Sequence, residues 1–167
     1  MPKLDPSEGR FPALSDAGFD GELDQISTIV TEACSKGDME DYYPTVFLVY
    51  KKKLEVLGLV SEKEDDLSDV YGALLEFGRQ VSRKKQVPQA AFVGVPTEWE
   101  DGSECIFVAG CTPDGRKNGV RIRLSRNSAG MLGVDGKESL YRTKGAAFEG
   151  RTYAGEFMKG FLEGAGT

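Results

Sequence analysis

The apolar positions change period twice along this chain, and those changes set the predicted elements. Between 22 and 36, Leu23, Ile26, Ile29, Val30 and Ala33 recur at helical spacing on one face. Asp20 stands where an N-cap belongs, and Gly37 where a left-handed residue closes a helix. Thr45 to Tyr50 is apolar at successive positions, as in an interior strand covered on both sides, and Leu54 to Val60 forms a second strand. The link Lys51-Lys52-Lys53 is short enough for a hairpin and places three lysines at an exposed turn.

The clearest periodic stretch runs over 66–84, where Leu67, Val70, Tyr71, Leu74, Phe77 and Val81 lie on one broad stripe. Asp65, Asp66 and Asp69 precede it and Arg83, Lys84 and Lys85 follow it, complementing the helix dipole, and Pro88 stops it. From Ala90 the period falls to two. Strands are predicted at 90–95, 104–109 and 119–125, with a polar loop over 96–103 and a turn at Thr112-Pro113-Asp114-Gly115. A short strand at 139–142 and a terminal helix around 152–163 complete the reading.

The expected fold is therefore α+β, in the order α-β-β-α-β-β-β with a short C-terminal helix. A mostly antiparallel sheet of about five strands carries helices packed on one face. Residues 1–20, punctuated by proline and glycine, read as an extended leader; 21–167 read as a single domain.

Composition narrows the chemistry. A hydrophobic fraction of 40% and a charged fraction of 29% fit a globular domain and exclude wholesale disorder. The net charge of −6 counts against non-specific nucleic-acid binding. The start of the chain lacks the apolar run of a signal peptide, and no stretch approaches the ~20 apolar residues of a membrane span. Three cysteines, an odd number in a chain of 167 residues, point to reduced thiols and a cytoplasmic location. The chain has no histidine, which removes Ser-His-Asp and Cys-His catalysis and the usual general base near neutral pH.

Two constellations remain. Glu98, Glu100, Asp101 and Glu104 cluster around Trp99 and are the candidate oxygen ligands for a divalent metal, although their spacing matches no EF-hand; a solvated loop is the simpler reading. Arg121 and Arg123 share one strand face and are the candidate anion-binding pair. Cys105 and Cys111, placed across a hairpin, read as buried small hydrophobes, because no CxxC spacing or histidine activates them. No phosphate-loop motif and no cofactor motif are present.

Ala90-Ala91-Phe92-Val93 running into Glu98-Trp99, followed by Glu104-Cys105-Ile106-Phe107-Val108, resembles a group of small uncharacterised bacterial and phage proteins. In that group an amphipathic helix leads into an apolar strand ending near Glu-Ala-Trp. Here Glu98 and Trp99 are adjacent and Pro96 intervenes. The resemblance spans about 66–110 and implies an α+β fold with no assigned activity.

The functional expectation is a non-enzymatic interaction or accessory domain, binding a protein partner or a second copy of itself. The alternative is a metal-assisted hydrolase on the carboxylate cluster, with Arg121 or Arg123 holding an anionic substrate. Nucleic-acid binding ranks lowest. It requires the cations of 51–53, 83–85 and 121–126 to meet on one face.

Overall fold

A computed structural model describes residues 10–12, 14–15, 18–58, 70–98, 101–139 and 151–166. In chain order the elements are β1 (Arg10–Pro12), α1 (Gly18–Ser35), β2 (Thr45–Val49), β3 (Lys53–Gly58), α2 (Val70–Ser82), β4 (Ala90–Glu98), β5 (Glu104–Cys111), β6 (Lys117–Arg126), β7 (Leu132–Ser139) and α3 (Tyr153–Gly164). The strands form one seven-stranded sheet in the order β1-β3-β2-β4-β5-β6-β7, and every adjacent pair is antiparallel. The α+β class, the element order and the C-terminal helix agree with the sequence pattern.

Two strands exceed the expected count. β1 lies inside the expected leader and pairs Phe11 with Leu54 at the sheet edge. β7 covers a stretch in which Gly133 and Gly136 dilute the apolar alternation. The predicted strand at 139–142 lies beyond its first residue outside the described residues, as do 66–69 of the predicted second helix. β4 continues through Pro96 to Glu98, where a loop was expected. β2 pairs only as far as Gly94, so the missing N–H of Pro96 interrupts no ladder on that side.

Both faces of the sheet are covered, where one was expected. α1 packs Leu23, Ile26, Val30 and Cys34 onto Phe47, Val49, Phe92, Ile106, Val108 and Ile122. α2 and α3 pack Leu74, Phe77, Phe157 and Phe161 onto Val46, Leu48, Ala91, Val93 and Ala109. The cause is legible in β2 and β4: both are buried at successive positions, and alternation sends successive side chains to opposite faces. The long connection from β3 through α2 brings β4 beside β2 in the antiparallel sense, so the one segment long enough for a parallel crossover makes no parallel pair.

α2 and α3 run in the same direction, since their contacts climb together from Tyr71–Tyr153 to Arg79–Glu163. Glycines let their backbones touch. A Cβ on Gly78 would lie 2.8 Å from the Phe161 nitrogen, and one on Gly160 would fall inside the Leu75 carbonyl. Thr152 caps α3 by accepting from the Gly155 N–H at 3.0 Å.

Candidate functional site

The β4–β5 hairpin places the predicted acids at one end of the sheet. Glu98 and Glu104 are cross-strand partners, and Asp101 occupies the turn beside Gly102, whose φ of +85° a side chain would resist. Glu100 and Trp99 lie outside the described residues. The Asp101 carboxylate accepts from the Ser103 hydroxyl at 2.5 Å and from its N–H at 3.0 Å, and these bonds hold its carboxyl below the usual range. Glu104 accepts two bonds of 2.7 Å from Arg126, which lower its pKa against the opposing effect of burial.

Arg126 also donates to the Glu40 carbonyl at 2.7 Å and the Gly130 carbonyl at 2.6 Å, so Glu104 belongs to a latch joining three segments. Among the described residues, no three acidic or cysteine side chains gather as possible metal ligands. Arg121 and Arg123 are half-buried and stand opposite Phe107 and Cys105. That is the α2–α3 face, whereas the alternation of β4 and β5 turns Glu98 and Glu104 toward the α1 face. The sheet thus separates the predicted arginines from those two predicted acids.

Cys105 and Cys111 share β5 and point to the same face, so they do not oppose each other across a hairpin. All three thiols are free and buried. Burial pushes Cys34 and Cys111 up to about 11 and raises Cys105 as well, despite the neighbouring Arg121 and Arg123. Each is a small apolar filler and a poor nucleophile.

At the opposite end of the sheet the fold builds a cluster that the sequence held in two separate pieces. The β2–β3 turn carries Lys51, Lys52 and Lys53; the segment leaving α2 carries Arg83, Lys84 and Lys85. Two bonds pull the segments together and a third closes the turn. Tyr50 donates its hydroxyl to the Gln86 carbonyl at 3.0 Å, the Gln89 N–H donates to the Val49 carbonyl at 2.9 Å, and the Tyr50 N–H closes the turn on the Lys53 carbonyl at 3.0 Å.

Beneath them lies Glu55, only 3% exposed. Lys53 Nζ reaches one of its carboxylate oxygens at 2.8 Å and Lys85 Nζ the other at 2.5 Å. Burial opposes ionisation of Glu55, but the two ammonium groups outweigh it and its pKa falls below the ordinary value. The same burial, with the Glu55 charge nearby, lifts Tyr50 to about 12, so its phenol stays a neutral donor.

The outcome is an open groove of about 570 Å³ lined by Tyr50, Lys51, Lys52, Lys53, Gln86, Val87 and Gln89. Lys51 and Lys52 of its lining are exposed, as are Arg83 and Lys84 on the segment that leaves α2. Val87, 41% exposed, gives the groove an apolar spot. Gln89 is tied to α1 by a 2.7 Å bond to Glu22. Arg123 and Arg126 lie elsewhere: Lys117 is level with this end, and six to nine residues at ~3.3 Å each carry β6 away from it. The three cationic groups therefore do not meet on one face.

Comparison with protein families, curated proteins and solved structures finds no match to this chain.

Proposed function

We propose that this chain is a non-enzymatic interaction domain whose basic end, built from 50–53 and 83–89, receives an acidic segment of a partner protein. The observation that carries this reading is a groove lined by Lys51, Lys52 and Lys53, with Lys85 of the second cationic run joined to Lys53 through the buried Glu55, in a chain of net charge −6. Lys53 and Lys85 are fixed by a buried carboxylate, and Lys51, Lys52, Arg83 and Lys84 remain exposed to engage an anion. Screening confines the attraction to about 8 Å at physiological salt. A short acidic segment stays within that range. A long nucleic acid extends past it, over a molecule whose overall charge repels it.

The titrating groups support binding over catalysis. Among the described residues, every resolved shift carries its group away from neutrality: the thiols and tyrosines rise and the carboxylates fall. Against the hydrolase alternative, Glu104 is gripped by Arg126 and Asp101 by Ser103. The free cysteines fit a reducing, cytoplasmic setting. Among the described residues no helix is long and apolar enough to cross a membrane.

Fluorescence anisotropy with a short Glu/Asp-rich peptide tests the proposal. Binding is expected, weakening as salt rises, with a loss of about tenfold or more (1.4 kcal/mol) in a Lys51→Glu, Lys52→Glu, Lys84→Glu variant. An unchanged affinity in that variant would overturn it. So would a single-stranded oligonucleotide that binds as tightly as the peptide.

A further inference from the structure

The sheet separates charge along the direction of its strands. At one end Lys51 and Lys52 stand exposed on the groove, with Arg83 and Lys84 exposed on the segment leaving α2. At the other end Glu40 and Asp41 lead into β2, and Glu98, Asp101 and Glu104 belong to the β4–β5 hairpin; all five are exposed. Arg126 binds both Asp41 and Glu104 there, one cation to two anions.

The chain also carries its own acidic segment, and its anchors lie at the acidic end. β3 stops at Gly58 and α2 starts at Val70. Residues 59–69 lie outside the described residues; in sequence they hold Glu62, Glu64, Asp65, Asp66 and Asp69 against the single Lys63. Gly58 is five residues along β3 from Lys53, ~17 Å at ~3.3 Å per residue. Val70 is twelve residues back along α2 from Ser82, ~18 Å at ~1.5 Å per residue. A fully extended chain covers at most ~3.6 Å per residue, so Glu62 and Asp66, each four residues from an anchor, reach no further than ~14 Å. Glu64 and Asp65 touch the near rim of the groove only at full stretch. The run as a whole cannot lie in its own groove, whereas the run of a neighbouring molecule has no such tether.

We infer, on the basic-end reading proposed above, that the groove receives the acidic run 62–69 of a second copy of this chain, joining molecules head to tail. Each molecule offers a groove at one end and a run at the other, so the contact is heterologous. A pair leaves one groove and one run open, and larger assemblies follow as concentration rises. Two chains of net charge −6 repel each other overall. Screening confines that repulsion to about 8 Å, so the opposed charges of the touching ends decide the contact.

Sedimentation equilibrium on the full chain over a concentration series tests the inference. Self-association is expected, and the Glu/Asp-rich peptide is expected to reverse it. A Lys51→Glu, Lys52→Glu, Lys84→Glu variant and a Glu64→Lys, Asp65→Lys, Asp66→Lys variant are each expected to weaken association by about tenfold or more. The second variant is expected to keep its affinity for the peptide. Mixing the two variants is expected to restore pairing, because each supplies the charge that the other has lost. Association that survives either reversal, or a mixture that stays monomeric, would overturn the inference. So would a monomer whose peptide affinity rises when 64–66 are reversed, since the run would then occupy its own groove. A monomeric wild type that still binds the peptide removes this inference and leaves the basic-end proposal standing; a peptide that does not bind removes both.

Discussion

Gly160→Ala is expected to lower the unfolding free energy by about 3 kcal/mol, the upper part of the usual range for overpacking. The expectation rests on a competition. In an exposed helix interior, alanine is better than glycine by roughly 0.8–1 kcal/mol, so the same change at an open position would stabilise α3. Gly160 is not at an open position. Its missing Cβ is the space filled by the Leu75 carbonyl, and even Leu75 Cα would lie 3.1 Å away. Backbone cannot turn aside as a flexible side chain can, so α2 and α3 must part. Parting them uncovers Phe157 and Phe161, both fully buried. Urea unfolding of Gly160→Ala beside Lys159→Ala, a neighbouring surface change expected to stay within about 0.5 kcal/mol, measures this. A stabilised Gly160→Ala would mean that the helices do not pack as closely as described.

The second large effect concerns Glu55. Lys85→Met is expected to cost about 2–3 kcal/mol, below the 3–5 typical of breaking a buried pair because Lys53 still reaches the carboxylate. Glu55→Gln is expected to cost about 1–2 kcal/mol, since both lysines can turn toward water.

The pH dependence has a definite sign. The folded pKa of Glu55 lies below its unfolded value, so its contribution is complete above about pH 4.3 and is lost as pH falls through the folded pKa. Asp101, Glu104 and Asp114 are lowered too and act in the same direction. The difference between wild type and Glu55→Gln isolates the one group. That difference should be constant above pH 5 and shrink on further acidification. A difference that grows on acidification would show that Glu55 is not held as an anion.

Much of the fold is written in local pattern. The stripe of α2, the glycine closing α1 and the alternation of β6 are set by neighbours along the chain, and they agree between sequence and structure. β1 carries no such signal, because three residues have no period and only pairing with β3 makes them a strand. The second covered face was present in the doubly apolar β2, but hairpin connections pointed to helices on one side.

The candidate site was legible only in parts. Lys51–Lys53 read as a turn and Arg83–Lys85 as a complement to the α2 dipole, and both readings are sound as local statements. The meeting of Lys53 and Lys85 depends on Glu55, an acid between the apolar Leu54 and Val56, which is the one signal in the sequence that pointed to it. The loop acids drew attention by their density, yet Glu104 serves Arg126, a partner 22 residues away that spacing does not reveal.

The most direct measurement is a titration of the isotopically labelled chain with the acidic peptide, followed by amide chemical shifts. The account predicts that the changes centre on residues 50–55 and 82–89, with 98–104 and 121–126 unmoved. Changes centred on the β4–β5 hairpin and β6, or none at either end at saturating peptide, would contradict it.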